Sequence, residues 1–230
     1  MPIHKQGDLN NMDNYRGITL LSIFSKIFTS IINHRLTFWG ESMNKINEAQ
    51  AGFRKGYTTI DNMFILESVI KRYLNTQSGK LYAMFVDFSK AFDSVHRHKL
   101  WAVCNTNGLS LKMTNLLSSL YENVKACVRN KNILSDTFDV HVGVRQGCVL
   151  SPFLFSFFIN ELALQIERNC SHGIQLHPDM FHVFLLLFAD DIVLISSTIN
   201  GLQKQINELG NYCQNSCLTV NMQKNQNNCF

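Results

Sequence analysis

The sequence lacks long apolar runs and a secretory signal. Its longest apolar runs, FLFSFFI at 153–159 and VFLLLF at 183–188, are far shorter than the roughly 20 residues that a helix needs to cross a bilayer. The first 17 residues, MPIHKQGDLNNMDNYRG, contain no apolar stretch of the kind that defines a signal peptide. These absences argue against a membrane protein and against a secreted protein.

The sequence also lacks any pair of cysteines separated by two residues, and its seven cysteines are an odd number. This usage favours reduced thiols, so we expect an intracellular protein of the nucleus or cytoplasm. Cys213 and Cys217 stand one helical turn apart and could bind a metal, but no second pair with ligand spacing accompanies them. Two small apolar residues on a helix are the favoured interpretation of this pair.

Charged residues are scarce, at 17% of the chain, whereas hydrophobic residues make up 46%. A chain of 230 residues with this composition can bury a substantial core without disulfides or a structural metal. The formal net charge of +4 permits an anionic partner but is too small to identify one. Charge alone therefore does not separate nucleic-acid-binding proteins from other globular proteins.

Apolar residues recur at helical spacing within 18–38, which predicts a first helix of about five turns, and the same spacing predicts five more helices, over 61–75, 96–107, 110–123, 152–168 and 199–215. The first helix is expected to start near Ser22. Ser151 and Pro152 predict the start of the fifth, with serine as the N-cap and proline at the first helical position. Alternation of residue types further predicts a hairpin between 124–129 and 136–142.

Two apolar segments that end in carboxylates are predicted to be buried strands. LYAMFVD at 81–87 ends at Asp87, and HVFLLLF at 182–188 is joined to IVLIS at 192–196 by Ala189, Asp190 and Asp191. If the strands at 81–87 and 182–188 are neighbours, their ends bring Asp87 close to Asp190. We therefore expect three carboxylates at one edge of a sheet.

Two adjacent acids at the tip of an apolar hairpin favour a bound cation, because repulsion and desolvation oppose their ionisation. A solvated turn is the alternative for Asp190 and Asp191. Together with Asp87 they suit Mg²⁺ or Mn²⁺, and two such ions can activate a hydroxyl and stabilise a leaving phosphate. Phosphoryl transfer is therefore the leading reaction class. Asp93 is predicted to cap a helix start.

Five segments resemble, in the correct order, the motifs of reverse transcriptases of non-LTR (LINE-type) retrotransposons. They are NYRGITLL at 14–21, QAGFRKGYTTIDNMFIL at 50–66, FVDFSKAFDSV at 85–95, GVRQGCVLSPFLFSFFIN at 143–160 and FADD at 188–191. Each segment alone is moderately specific, but five collinear segments make an accidental match improbable. The resemblance spans almost the whole chain.

The resemblance implies an α+β fold of the right-hand polymerase type. Fingers are expected at 1–80 and a palm at 81–230, with a central antiparallel sheet packed on helices and a fingers-related hairpin near 124–142. A C-terminal thumb and an N-terminal endonuclease, which such proteins carry, do not fit into 230 residues. We therefore expect a fragment of a retrotransposon polyprotein or a decayed copy.

The resemblance also implies an RNA-directed DNA polymerase that uses an RNA template, a DNA primer and deoxynucleoside triphosphates. Asp87, Asp190 and Asp191 match the catalytic acids that hold two Mg²⁺ or Mn²⁺ ions, and the Phe88 carbonyl completes one metal shell. Phe92 matches the residue that abuts the sugar of the incoming nucleotide and excludes a 2′-hydroxyl. A core phenylalanine is the alternative for Phe92.

Further positions of the resemblance concern the nucleotide. Gln146 and Gly147 match the loop that lines the nucleotide and template pocket, where glycine allows close approach of the backbone. Lys5, Arg16 and Arg54 match basic residues that close on the triphosphate, which needs cations to offset its charge.

Lys224 matches a lysine that protonates the departing pyrophosphate, and three positions near the motifs depart from the family pattern. Asn225 stands where Thr or Ser is usual, Tyr57 where Arg is frequent, and Cys148 where a polar residue is common. An inactive nucleic-acid-binding remnant is therefore the alternative to an enzyme. A structural core whose acids are exposed by chance is a third interpretation.

Overall fold

The computed structural model describes residues 1–75, 79–171, 173–175 and 182–221, and it describes the backbone of residues 226–229. Seven α-helices occur in these ranges: α1 (Ile23–Ser42), α2 (Thr59–Leu74), α3 (Ala91–Ser94), α4 (Arg97–Thr106), α5 (Leu111–Leu120), α6 (Ser151–Asn169) and α7 (Ile199–Ser216). Twelve short strands occur in the same ranges: β1 (Pro2–His4), β2 (Tyr15–Gly17), β3 (Tyr82–Val86), β4 (Lys125–Ala126), β5 (Arg129–Asn130), β6 (Ile133–Leu134), β7 (Phe138–Asp139), β8 (Ile174–Gln175), β9 (His182–Val183), β10 (Leu185–Phe188), β11 (Asp191–Ser196) and β12 (Gln226–Cys229).

The central sheet contains four strands in the order β10–β11–β3–β12, and every neighbouring pair is antiparallel. Between the two central strands, β11 and β3, Ile192 lies opposite Val86 and Val193 lies opposite Phe85. Successive side chains of a strand point to opposite faces. The sheet therefore has two faces, each of which needs a cover. This arrangement confirms the predicted α+β fold with a central antiparallel sheet.

Helix α6 covers one face of the sheet. Twelve of its 19 residues are buried, which is typical of a helix that occupies the core. Its core cluster includes Val86, Ile192 and Leu194 from the sheet. Helix α7 packs beside it, where the Tyr212 hydroxyl donates to the Phe158 carbonyl at 2.9 Å. The main core thus lies between the sheet and these two helices.

Helix α2 covers part of the other face. Its Val69 belongs to a second buried cluster with Leu81, Leu186 and Ile195 from the sheet region. The helix begins after Thr58, whose backbone N–H and hydroxyl both donate to the Asp61 carboxylate, at 2.6 and 2.9 Å. The Asp61 side chain thus satisfies two donors of Thr58 and fixes the start of the helix.

The predicted helices are confirmed, with one correction at a cap. Ser22 caps α1 through a bond from the Ser25 N–H, as expected. Ser151 is wrong as the N-cap of α6, because the helix already begins there and Leu150 occupies the cap position. The Ser151 hydroxyl donates instead to the Arg145 carbonyl at 2.7 Å, which ties the helix to the preceding loop.

The predicted pairing of the strands at 81–87 and 182–188 is wrong, because β11 lies between β3 and β10. The segment at 182–188 is also divided: β9 pairs with β8, and β10 pairs with β11. On its other edge, β10 meets the loop before α2, where Ala51 N–H donates to the Leu187 carbonyl at 2.9 Å. These bonds to the loop occupy the edge at which β3 was expected.

The predicted hairpin near 124–142 is present as two short ladders. Strand β4 pairs with β7, and farther out β5 pairs with β6. Strands β1 and β2 form a separate hairpin. No helix in the described ranges is both long and apolar enough to cross a membrane. The division into fingers at 1–80 and palm at 81–230 stays a prediction.

The position of α6 in the core predicts a large effect of truncating its buried rings. Phe158 is 1% exposed, whereas Phe64 on α2 is 68% exposed. We expect Phe158→Ala to lower the free energy of unfolding by about 3–5 kcal/mol, because it removes buried apolar surface and leaves a cavity. Phe64→Ala should change it by about 0.5 kcal/mol or less. Urea denaturation followed by circular dichroism measures both, and equal losses would contradict the assigned core.

Candidate functional site

Asp87 and Asp191 lie next to each other at one end of the central sheet. Asp87 directly follows β3, and Asp191 is the first residue of β11. The ladder pairs Val86 with Ile192, so the next positions outward are Asp87 and Asp191. Opposite positions of an antiparallel pair direct their side chains to the same face, with Cβ atoms about 4.5–5.5 Å apart. The sheet register therefore brings these two carboxylates together.

Asp190 lies in the turn that joins β10 to β11. Phe188 pairs with Asp191 across this turn, and Ala189 adopts a left-handed conformation with φ +59°. Asp190 is partly buried and Asp191 is exposed. Because β11 lies between β10 and β3, the residue opposite Asp87 in the register is Asp191 and not Asp190. Asp190 adjoins this pair through the turn.

Asp87 and Asp191 line a cleft of about 480 Å³ between the sheet and α2. Phe85 and Val193 from the same sheet face line it, together with Met63 from the helix. On this face the half-buried Phe85 and Val193 lie beside the partly buried Asp87 and the exposed Asp191. The cleft is large enough for a small ligand.

The carboxylate oxygens at this end of the sheet are the type of ligand that Mg²⁺ and Mn²⁺ prefer. The Asn221 side-chain amide donates to Asp87 Oδ2 at 3.2 Å, and its backbone N–H donates to the Asp87 carbonyl at 2.8 Å. Within the described ranges, however, no group of three or more His, Cys, Asp or Glu side chains is arranged to hold a metal ion. Metal binding by the three acids therefore stays a prediction.

Phe88 follows Asp87, and its backbone contacts the segment at 219–221. It is 3% exposed and forms an antiparallel bridge with Val220, and the Ser89 N–H donates to the Thr219 carbonyl at 2.8 Å. The segment at 219–221 thus holds the backbone on both sides of Phe88. A metal contact from its carbonyl stays a prediction.

Phe92 lies between the core and the surface. Its ring stacks on Phe155 with centroids 4.6 Å apart, and it meets the exposed Phe53 edge to face at 6.2 Å. The ring is partly buried. One side of the ring is therefore packed in the core, and Phe53 flanks it. A contact between Phe92 and the sugar of a nucleotide stays a prediction.

Gln146 and Gly147 lie in a loop that contacts both Asp93 and the start of the chain. The Gln146 amide donates to Asp93 Oδ2 at 2.8 Å, and its carbonyl accepts from the Thr19 N–H at 2.7 Å. Asp93 lies in the first turn of α3, as expected for a helix start, but its predicted capping role is wrong, because Lys90 holds the N-cap position and the cap has no side-chain hydrogen bond. Gly147 has φ +108°, and a Cβ there would lie 2.7 Å from the Thr19 carbonyl.

The three predicted cations of the fingers differ in their surroundings. Lys5 and Arg16 are exposed, Arg16 within β2 and Lys5 directly after β1. Arg54 is 9% exposed and forms ion pairs with Glu41 at 2.8 Å and Glu48 at 3.3 Å. A role of Arg54 at a triphosphate stays a prediction that requires these pairs to break. Lys224 lies outside the described residues.

Arg54 instead organises the loop that follows α1. Its guanidinium donates to the carbonyls of Asn47 and Gln50, at 3.3 and 3.2 Å, and lies 4.2 Å from the centre of the Tyr57 ring. Asn160 of α6 anchors the same loop, because its side-chain oxygen accepts from the Asn47 N–H at 2.6 Å. The sequence analysis did not predict that Arg54 and Asn160 hold this loop. Both residues lie within the quoted motifs, and that position was the only indication of their role.

A profile of the family described as reverse transcriptase (RNA-dependent DNA polymerase) matches residues 3–229. The chain belongs to the reverse transcriptase family. This reverse transcriptase domain is 32% identical, over 245 residues, to a probable RNA-directed DNA polymerase from transposon BS of Drosophila melanogaster. That match covers 99% of the domain and 25% of the relative. The resemblance to non-LTR retrotransposons is thereby confirmed.

A second relative agrees with this assignment. A Pol polyprotein from the type-1 retrotransposable element R2 of Popillia japonica is 26% identical, with 96% of the domain and 30% of the relative covered. The domain thus spans less than a third of the length of either relative.

Telomerase from Candida albicans, solved in complex with a TWJ fragment of telomeric RNA, has a TM-score of 0.64 at 12% identity. That match covers 89% of the domain and 34% of the telomerase chain. Apo telomerase from Candida tropicalis, truncated from its C-terminal domain, has a TM-score of 0.62 at 16% identity, with 87% and 40% covered. At these identities the likeness shows a shared fold.

The contact between Tyr57 and Glu48 predicts a pH dependence. The Tyr57 hydroxyl donates to Glu48 Oε2 at 2.5 Å, and this bond lowers the pKa of Glu48 and raises the pKa of Tyr57. Because the pKa of the Glu48 carboxyl is lower in the folded than in the unfolded protein, the bond stabilises the fold at pH values above the pKa of the unfolded state. This stabilisation is lost as the pH falls through the pKa of the folded state. The Tyr57 hydroxyl loses its proton, and with it this bond, only as the pH rises through its raised pKa.

We therefore expect Tyr57→Phe to raise the pKa of Glu48 toward its ordinary value. A carbon-13 NMR titration of the glutamate carboxyls measures this change. Tyr15→Phe is the matched control, because the Tyr15 hydroxyl donates to the Leu9 carbonyl and not to a carboxylate. An unchanged Glu48 titration in Tyr57→Phe would contradict the assigned cause.

Proposed function

We propose that this domain is the polymerising core of an RNA-directed DNA polymerase, which adds deoxynucleotides to the 3′ end of a DNA primer on an RNA template. The observation that carries the proposal is the pairing of β3 with β11, because it sets Asp87 beside Asp191 at the mouth of a cleft. Membership of the reverse transcriptase family supports the same reaction.

Divalent metal ions are the general cofactors of the family. We propose that Asp87, Asp190 and Asp191, with the Phe88 carbonyl, hold two Mg²⁺ or Mn²⁺ ions in this domain. Two ions at such a site supply activation of the attacking primer hydroxyl and stabilisation of the leaving pyrophosphate. The Asn221 amide, bonded to Asp87 Oδ2, orients one of these carboxylates.

The nucleotide is proposed to lie between the acids and the loop that carries Gln146 and Gly147. Phe92 adjoins this loop, because its carbonyl accepts from the Val144 N–H at 2.8 Å. Its ring contacts Phe53, which follows Gly52, and a Cβ at Gly52 would lie 2.3 Å from the nitrogen of Ala189 in the acidic turn. A rigid ring at the sugar edge excludes an additional oxygen by steric contact. The exposed Lys5 and Arg16 would offset triphosphate charge, and Lys224 would protonate the departing pyrophosphate.

A nucleic-acid-binding remnant without catalysis is the second candidate. It is favoured by one finding, the lack of a group of three or more ligands arranged for a metal within the described ranges. Titration calorimetry with Mn²⁺ separates the two candidates. Binding that is lost in Asp87→Ala supports the enzyme, and no metal uptake supports the remnant.

Replacement of the paired acids is expected to abolish extension of a DNA primer on an RNA template. Asp87→Asn and Asp191→Asn keep the side-chain size but remove a charge that ions require. We expect each to slow extension at least about 100-fold, equivalent to about 2.7 kcal/mol of barrier. Assays at low salt favour retention of the nucleic acid, since phosphate contacts weaken with salt.

The control for these variants is Asp136→Asn, because Asp136 is exposed on the loop between β6 and β7. It should extend primers at the wild-type rate. A wild type that fails with every template and with both metals would reject the polymerase proposal. Normal extension by Asp87→Asn would reject the assignment of the acids.

Phe92 is expected to determine the choice of sugar. Phe92→Val shortens the side chain at the proposed sugar edge, so we expect use of ribonucleotides relative to deoxynucleotides to rise by about 10- to 100-fold. The ratio of kcat/KM for the two nucleotides measures this change. Phe138→Val, at an exposed position of β7, is the control. An unchanged ratio in Phe92→Val would leave Phe92 as a core residue only.

A further inference from the structure

We propose that Gln50 is a positioning residue that fixes the turn carrying Asp190 and Asp191, and that Gly52 permits this contact. The inference rests on the proposed function, because it concerns the placement of the same acids. Gln50 is 0% exposed although its side chain is polar. A buried amide requires hydrogen-bond partners, and those of Gln50 identify what it holds.

The Gln50 side chain bonds the backbone of Ala189 from two directions. Its Oε1 accepts from the Ala189 N–H at 3.0 Å and from the Gly52 N–H at 2.7 Å. Its Nε2 donates to the Ala189 carbonyl at 3.5 Å. An amide side chain suits this task because it presents both a donor and an acceptor.

The backbone on either side of Gln50 strengthens the contact. Gln50 forms a parallel bridge with Leu187, the Leu187 N–H donates to the Ala49 carbonyl at 2.8 Å, and the Ala51 N–H donates to the Leu187 carbonyl at 2.9 Å. The segment at 49–51 therefore occupies the outer edge of β10. It joins the loop after α1 directly to the strand that leads into the acidic turn.

Ala189 is a position at which the turn needs outside support. Its φ of +59° lies in the left-handed region, which residues with a Cβ seldom adopt. Ala189 immediately precedes Asp190, so its conformation sets the direction in which the two acids leave β10. Gln50 bonds the N–H and the carbonyl of this residue and thereby stabilises the unusual conformation.

Gly52 allows the two segments to approach this closely. A Cβ at Gly52 would lie 2.3 Å from the Ala189 nitrogen and 3.0 Å from the Phe188 carbonyl carbon. Both are backbone atoms, so no flexible side chain can move away to make room. A methyl group at this position must therefore displace the turn.

The principal test compares Gln50→Leu with Gln205→Leu. Gln205 is also 0% exposed, and its Nε2 donates to the Ile195 carbonyl of β11 at 2.9 Å. Both substitutions remove a buried amide that bonds the same hairpin, but only Gln50 contacts its acidic end. A merely structural role would therefore give the two variants the same phenotype.

Three measurements separate positioning from stability in these variants. We expect Gln50→Leu to accelerate hydrogen exchange at the Ala189 N–H and to weaken Mn²⁺ binding by about 10- to 100-fold, as loss of a residue that orients metal ligands does. Its kcat should fall more than its KM for deoxynucleotides changes. Gln205→Leu should lower the melting temperature and leave the other values near wild type.

A second pair of variants keeps the test decisive if Gln50→Leu does not fold. Gly52→Ala should give the same faster exchange and weaker Mn²⁺ binding. Gly210→Ala is its control, because Gly210 is exposed on α7 and a Cβ there meets nothing within 4 Å.

The proposal is overturned if folded Gln50→Leu or Gly52→Ala keeps wild-type exchange at Ala189 and wild-type Mn²⁺ affinity. It is also overturned if Gln205→Leu weakens Mn²⁺ binding equally. A wild type that neither binds Mn²⁺ nor extends primers rejects the proposed function instead. In that event hydrogen exchange at Ala189 alone decides whether Gln50 holds the turn.

Discussion

The antiparallel pairing of β3 with β11 is the constraint on which the site depends. It sets Val86 opposite Ile192, and the alternation of side chains then directs the next residues, Asp87 and Asp191, to the same face of the sheet. A shift of one residue in this register would turn the carboxylates away from each other and move apolar residues out of the core. Burial of Val86 and Ile192, at 3% and 1% exposure, therefore stabilises the fold and the relative position of the acids together.

The unequal cover of the two sheet faces explains why these acids remain accessible. Helices α6 and α7 enclose one face, whereas α2 buries only part of the other and leaves a cleft at the end where Asp87 and Asp191 lie. Complete burial would disfavour ionised carboxylates. Their place at the edge of the apolar surface lets the sheet fix their backbone while their side chains stay open to ions.

Contacts distant in sequence hold the rest of the site. Gln50 bonds the turn after β10, Asn221 bonds Asp87, and Thr19 bonds Gln146. Arg54, which the family resemblance assigns to a triphosphate, is occupied by Glu41 and Glu48. Motif comparison identifies such positions but not their partners, because a side chain's partner depends on which loops the fold brings beside it.

The sequence by itself determined the six longer helices, the two acid-terminated strands and the family, because apolar periodicity, the cap at Ser22 and collinear motifs are local properties of the chain. Only the tertiary structure decided that β11 separates β3 from β10, that Asp191 is the register neighbour of Asp87, and that Asp93 bonds Gln146. Strand order and side-chain partners join residues far apart in the chain, and several pairings satisfy the same local pattern. Packing of both sheet faces at once selects one of them.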